Sequence, residues 1–266
     1  MIRIGLVGCG TIGRALTHAI TKKYHRIAKI AFLCDRHHEA AERLKRDLRL
    51  RADILPLSSL IRKSDFIVEA ASQQAVLEML PILTQQKKNA MILSVGALLR
   101  VPPRLLKKAK GLLYIPSGAV SGIDGILAAK TSAIRHVSIR TYKPLKGIQS
   151  APYFKHKQAW LKRIQKPTVV FRGTAKQAIK HFPQNVNVAA TLSLAGIGSE
   201  RTKVTIITSP AFRRNSHEVL IEGDFGMIQT RTDNVPSKLN PKTSALAFHS
   251  AIACFDKMIS SIKIGT

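Results

Sequence analysis

Acidic residues are scarce in this chain: 15 Asp and Glu stand against 43 Lys and Arg in 266 residues, a formal net charge of +28. Such a field draws anions, whether nucleic acid or an anionic cofactor and a dicarboxylate. Between Lys87 and Lys180, twenty basic residues accompany one acid, Asp124. The basic residues are spread over both halves rather than massed in an arm, and aromatics make up only 5% of the chain. That pairing argues against specific nucleic-acid binding, which needs a focused patch and stacking surfaces. Cysteine is also rare. Cys9, Cys34 and Cys254 are odd in number and form no CxxC pair, which excludes a disulfide framework and fits a reducing cytoplasm. No apolar run reaches the eighteen or so residues of a membrane helix, so a soluble protein is expected. The start, Met1 to Gly10, is interrupted by Arg3 and reads as a first strand rather than a leader. The nine histidines show no ligand spacing, so no metal is expected.

The chain that remains is 45% hydrophobic and long enough for one large domain or two modest ones. An apolar strand over residues 2 to 7 leads to a helical stretch from about Ile12 to Lys23, then to the apolar run "IAKIAFLC" ending at Asp35. A charged helix, a short strand near Ile54, a Ser58-capped helical turn, the buried strand "DFIVEAAS" and the helix "SQQAVLEMLPILTQQ" follow. "NAMILSVGAL" is a further strand, and "PPRLLKKAKG" has prolines at its start and a glycine at its end, where helices favour them. This alternation is what a doubly wound parallel sheet requires. Beyond Ser121 the strands lengthen and alternate in polarity ("HVSIRTYK", "TVVFRG", "TKVTIITS", "SHEVLIEGDF", "GMIQTRT"), with helices near Asp124, Lys176 and Val186. A second, mixed-sheet α+β domain is expected. The apolar face of the last segment, residues 241 to 262, needs a surface to cover it. The predicted division is therefore residues 1–118 plus 241–266 against residues 119–240.

The stretch "IGLVGCGTIGRAL" carries Gly8, Gly10 and Gly13 after a strand and at the opening of a helix, with Asp35 closing the second strand. In that context a G-x-G-x-x-G turn points to a dinucleotide. Gly8 makes the tight turn, Gly10 leaves room for a pyrophosphate, and Gly13 lets helix and strand approach. Thr11, Ile12 and Gly13 then offer free N–H groups and the positive end of the helix dipole. Asp35 would accept hydrogen bonds from the adenosine ribose. It would also repel a 2′-phosphate that Arg36, His37 and His38 could attract, so NAD is favoured and NADP stays open. Ala71 and Ser94, near the carboxyl ends of two sheet strands, are further candidate cofactor contacts, because ligands of open α/β sheets bind there.

In "NSHEVLIEG", His217 and Glu218 are neighbours on a strand and point to opposite faces. His217 shares its face with Val219 and Ile221 and is either a packed core histidine or a functional one. Asn234 and Asn240 read as loop-makers, and Asp124 as the residue that caps or opens the helix "GILAAK".

From "GLVGCGTIG" through "VEAASQQAV", "ILSVGAL", "YIPSGAVSGIDGI", "FPQNVNVAATLSLAG", "TKVTIIT", "NSHEVLIEGDFG" and "NPKTSALA", the chain resembles the L-aspartate dehydrogenases over nearly its full length. The resemblance implies that His217, in the N-x-H-E motif, does acid/base work, and that Ala119 of the "PSGA" loop and Asn187 before "VAA" contact the coenzyme. It also implies a homodimer. One departure stands out: "TYKPL" replaces the family's T-R-K-P-P, with Tyr142 and Leu145 for an arginine and a proline and Lys143 kept.

The expected reaction is oxidative deamination of L-aspartate with NAD or NADP, in a cleft closed by the two domains. It gives iminosuccinate, either hydrolysed to oxaloacetate and ammonia or supplied to NAD biosynthesis. A histidine suits the proton steps because its ordinary pKa lies near neutrality. Lys143, Lys242 and Thr243 are candidates for the substrate carboxylates. A related amino-acid or homoserine-type dehydrogenase is the alternative enzyme, and a non-catalytic dinucleotide- or nucleic-acid-binding protein is the alternative of another class.

Overall fold

The first strand, β1 (Ile2–Val7), is buried along Ile4, Leu6 and Val7, as expected of a strand covered on both faces. In this computed structural model, which describes residues 1–107, 110–183, 186–237 and 244–265, the chain then runs through α1 (Thr11–Lys23), β2 (Ala28–Cys34), α2 (His38–Asp47), β3 (Asp53–Ile54), α3 (Leu57–Lys63), β4 (Phe66–Glu69), α4 (Gln73–Gln86), β5 (Asn89–Ile92), a 3₁₀ turn (Val95–Arg100), α5 (Pro103–Lys107) and β6 (Leu113–Tyr114). All pairings are parallel and the strand order is β3-β2-β1-β4-β5-β6. This is the doubly wound order with its switch point between β1 and β4, where such sheets place ligands.

Two expectations need correction. Pro56, not Ser58, precedes the helix α3, and no side chain caps it. The strand in "NAMILSVGAL" stops at Ile92 because the N–H groups of Leu93 and Ser94 turn to the carboxylate of Glu69 (3.1 and 2.9 Å).

The chain divides into two compact units, Met1–Pro116 with Ala251–Ile259, and Ser117–Ser250 with the end of the chain from Ser260. In the first unit the terminal helix segment packs Phe255 edge-on against Tyr24 and Phe66, with centroids at 5.1 and 6.1 Å. Asp256 pairs with Lys23 at 2.7 Å and accepts from the Tyr24 hydroxyl.

The second unit contains α6 (Ile123–Ala129), β7 (Ile134–Pro144), α7 (Leu145–Ile148), α8 (Gln158–Lys162), β8 (Thr168–Thr174), α9 (Ala175–His181), α10 (Asn187–Ala195), β9 (Lys203–Ser209), β10 (Asn215–Gly223) and β11 (Gly226–Asn234). Asp124 lies in the first turn of α6, where a negative charge suits the helix dipole, and Gly122 is the cap. Thr174 and Gln177 form a reciprocal capping box on α9. The sheet order is β11-β10-β7-β9-β8, parallel only between β7 and β9. The last helix, α11 (Ala245–Ile259), ends short of residue 262.

The register sets one face. His217 lies opposite Thr141 in the antiparallel β10–β7 pair, and Thr141 opposite Ile206 in the β7–β9 pair. With a period of two, Val137, Ile139, Thr141 and Lys143 of β7 and His217, Val219 and Ile221 of β10 all turn to the buried side.

Candidate active site

The glycine turn is built as its chemistry requires. Gly8 has φ 98°, and a Cβ there would lie 2.6 Å from the Ala70 carbonyl carbon, so only glycine closes this turn. A Cβ on Gly13 would strike the Gly8 carbonyl oxygen, whereas a Cβ on Gly10 would meet no atom within 4 Å. The open space lies where a phosphate must approach. The first turn of α1 has no acid, and its leading N–H groups, those of Thr11, Ile12 and Gly13, have no intrahelical acceptor. This cradle fits a dinucleotide phosphate. Asp35 is already anchored: Oδ2 accepts the Cys9 N–H at 2.7 Å and Oδ1 the His37 N–H at 2.8 Å. Each oxygen keeps a lone pair for a further donor.

A residue the sequence analysis missed holds the neighbouring loops. Glu69 ends β4 with 0% exposure. Its Oε1 accepts from the Ala71 N–H and the Ser94 hydroxyl, both at 2.8 Å, and its Oε2 accepts from the N–H groups of Ser94 and Leu93. Burial pushes its pKa up, and these hydrogen bonds oppose the shift. The signal was one acid in an apolar run, "FIVEAAS". Both Ala71 and Ser94 are therefore fixed by the same carboxylate.

In the second unit, polar side chains gather at one end of the buried sheet face. His217 is 3% exposed, and its Nδ1 lies 3.0 Å from the Thr141 Oγ1. Burial, then the charge of Lys143, lowers its pKa to about 3. Lys143, two residues beyond Thr141, is 7% exposed, and burial alone lowers its pKa to about 8. Among the described residues no acceptor pairs with its ammonium, and none of the nine ion pairs includes it. A cation in a low-dielectric setting without a partner is costly, so an anionic guest at this end of the face would be favoured.

Asn234 is not a loop-maker. It is the last residue of β11, lies opposite Asn215, is 3% exposed and donates from Nδ2 to the Ala119 carbonyl at 3.0 Å. Its Oδ1 is buried without a partner among the described residues. The polar end thereby reaches the loop of Ala119, whose neighbour Gly118 takes φ 74°. Asn187 opens α10. Lys242, Thr243 and Asn240 lie outside the described residues.

Tyr142 turns to the opposite face, where its hydroxyl donates to Glu218 at 2.8 Å and Arg231 pairs with the same carboxylate at 2.7 Å. The tyrosine of this departure is therefore not on the face of Lys143 and His217, and Leu145 opens α7 beyond the strand.

A glycine-turn parallel sheet of order 3-2-1-4-5-6, followed by a mixed-sheet unit bearing a buried histidine and lysine, defines an NAD(P)-dependent oxidoreductase. Its sequence relatives narrow the class. The family described as "Aspartate dehydrogenase, C-terminal" matches residues 124–258, and "Homoserine dehydrogenase, NAD binding domain" matches residues 8–112. L-aspartate dehydrogenases of Methanosarcina acetivorans and Nitrosopumilus maritimus are 43% and 39% identical, each over 100% of both chains. The solved aspartate dehydrogenase of Thermotoga maritima matches with a TM-score of 0.75 at 26% identity, covering 100% of each chain. A scyllo-inositol dehydrogenase of Lactobacillus casei, at 14% identity and TM-score 0.54 over 100% of this chain and 90% of its own, shares the fold. The chain belongs to the aspartate dehydrogenase family.

Proposed function

We propose that this protein oxidises L-aspartate to iminosuccinate, which is hydrolysed to oxaloacetate and ammonia or drawn into NAD biosynthesis in the cytoplasm. The observation that carries the reading is the buried pair of Lys143 and His217, unopposed by any carboxylate on their strands' buried face among the described residues. A substrate with two carboxylates and one ammonium supplies both the missing negative charge and the proton to be moved. The first unit holds the dinucleotide through Gly8, Gly10, Thr11, Ile12, Gly13 and Asp35, with Ala71 and Ser94 at the strand ends. When bound, the nicotinamide accepts the Cα hydrogen and its electron pair. His217 handles protons, Lys143 faces the substrate, and Ala119 and Asn187 are proposed as further coenzyme contacts. Lys242 and Thr243 are proposed as carboxylate contacts on their chemistry.

The test is reduced-coenzyme formation by purified protein with L-aspartate, compared with L-homoserine. Turnover of aspartate and not of homoserine supports the reading, and the reverse result overturns it.

Coenzyme choice follows from Asp35. Two backbone N–H groups pin its carboxylate, so it does not swing away from a 2′-phosphate. Like charges about 4 Å apart repel by roughly 4 kcal/mol at an effective dielectric of about 20. The protein should therefore prefer NAD, and Asp35→Ser should shift the NAD-to-NADP ratio of kcat/KM toward NADP by at least about tenfold, one 1.4 kcal/mol step. An unchanged ratio removes Asp35 from coenzyme selection.

The same reading includes a homodimer. Its proposed contact is the outer strand β11, whose hairpin exposes Phe225 and Met227 (36% and 63%). Light scattering should give a dimer mass for the wild type and a monomer for Met227→Glu; a monomeric wild type ends this part of the proposal.

A further inference from the structure

We propose, resting on the aspartate reading above, that Lys143 is the final acceptor of the substrate's proton, receiving through His217 the proton that leaves the substrate ammonium. The geometry is a diagonal cross-strand pair. His217 lies directly opposite Thr141, and Lys143 is two residues further along β7 on the same buried face. Diagonal neighbours are within reach of a long side chain. Thr141 bonds the Nδ1 edge of the imidazole, which leaves Nε2 to meet the incoming proton.

The two groups divide the work by their surroundings. Burial and the neighbouring cation hold His217 neutral, with its pKa lowered to about 3. An imidazole so depressed relays a proton but does not keep it. Lys143, lowered to about 8, is partly neutral in the slightly alkaline range and keeps the proton once it arrives. His217 from β10 is the titratable group on which the charge of Lys143 acts. Thr208 from β9 contributes a hydroxyl, which is spent on the Lys143 carbonyl at 2.8 Å. The charges of Arg140, Glu218, Arg231 and Asp233 alternate to the other face or lie at the exposed strand edge. The step balances: an N–H bond of the ammonium breaks toward His217 and on to neutral Lys143. The nitrogen lone pair becomes the C=N bond, and the Cα–H pair leaves as hydride to oxidised coenzyme. Protonated iminosuccinate, reduced coenzyme and a lysine ammonium result.

The experiment compares wild type with Lys143→Arg and Lys143→Met over pH 6 to 11. In the wild type, kcat/KM for aspartate should rise with pH through an apparent pKa near 8. Lys143→Arg, which keeps the charge but cannot give up its proton, should lose kcat by at least about a hundredfold, along with that limb. If Lys143→Arg keeps kcat and only raises KM, Lys143 is a carboxylate clamp and the proposal is overturned. A second measurement needs no turnover. The lysine's folded pKa lies below its unfolded value of 10.5, so between about 8 and 10.5 the unfolded chain binds more protons and stability rises with pH. Lys143→Met should therefore have a higher Tm than wild type at pH 7, and the gap should close as pH rises toward 10.5. A gap that is absent or independent of pH also overturns the proposal. Wild type inert toward L-aspartate but with the expected closing gap would instead sink the aspartate reading and leave Lys143 as a proton acceptor for another amine.

Discussion

His217→Asn should lower kcat for aspartate oxidation by between about 10² and 10⁴, the range that positioned proton-transfer groups contribute, while the protein remains folded. Asparagine is chosen because its amide can meet the Thr141 hydroxyl, now 3.0 Å from Nδ1, while nothing replaces Nε2. The variant thus removes the proton-handling edge and spares the packing edge. Acid titration provides a check on folding. The imidazole is buried neutral with a folded pKa of about 3 against an ordinary 6.5. Below 6.5 the unfolded chain therefore takes up a proton that the native one refuses, and stability falls as pH drops from about 6.5 to 3. His217→Asn should lose less stability than wild type across that window. Retained kcat with the altered acid stability would show a packed core histidine and return the proton chemistry to another group. Loss of kcat with the altered acid profile is the expected result.

Much of this was legible in residues whose signal is local. The parallel sheet could be read because β1, β2 and β4 are buried on both faces and so run apolar without alternation. The glycine turn and Asp35 are set by short-range backbone demands. His217 could be placed on a face with Val219 and Ile221, since strand periodicity needs no tertiary knowledge. Its meeting with Thr141 could not, because the two residues are 76 apart and only the β7–β10 register joins them. The same holds for Asn234. Followed by Val and Pro it resembles a turn, yet pairing with Asn215 extends β11 to include it. The arginine-to-tyrosine departure at Tyr142 lies next to Lys143 in sequence, yet register puts it on the far face beside Glu218. Glu69 was hidden differently: its partners Leu93 and Ser94 come from the end of another strand, and a single acid in an apolar run carries no periodic mark.

Replacing Glu69 with leucine should be the most damaging change in the first unit. Four hydrogen bonds converge on this carboxylate from Ala71, Leu93 and Ser94. A leucine would leave the part-buried N–H groups of Ala71 and Ser94 without this acceptor; Leu93 retains a weaker bond to the Glu69 carbonyl at 3.2 Å. A fully buried orphaned group costs about 1–3 kcal/mol, and less where water reaches it, so a loss of about 2–3 kcal/mol is expected, a sizeable part of the roughly 5–15 kcal/mol typical of folded domains. The Tm should fall by on the order of 10 °C, at about 2–4 °C per kcal/mol for a chain near this size. Glu69→Gln keeps one acceptor oxygen but presents an NH₂ group to donors on its other side, so it should fold with a smaller loss of Tm. That variant separates support of the fold from placement of the coenzyme loops. If Ala71 and Ser94 meet the dinucleotide, loosening their shared anchor should weaken binding of reduced coenzyme by about tenfold, measurable by its fluorescence, while His217 retains its contact with Thr141 and Lys143 its burial. A Glu69→Gln protein that binds coenzyme as tightly as wild type would confine Glu69 to stability, and an unchanged Tm in Glu69→Leu would remove even that role.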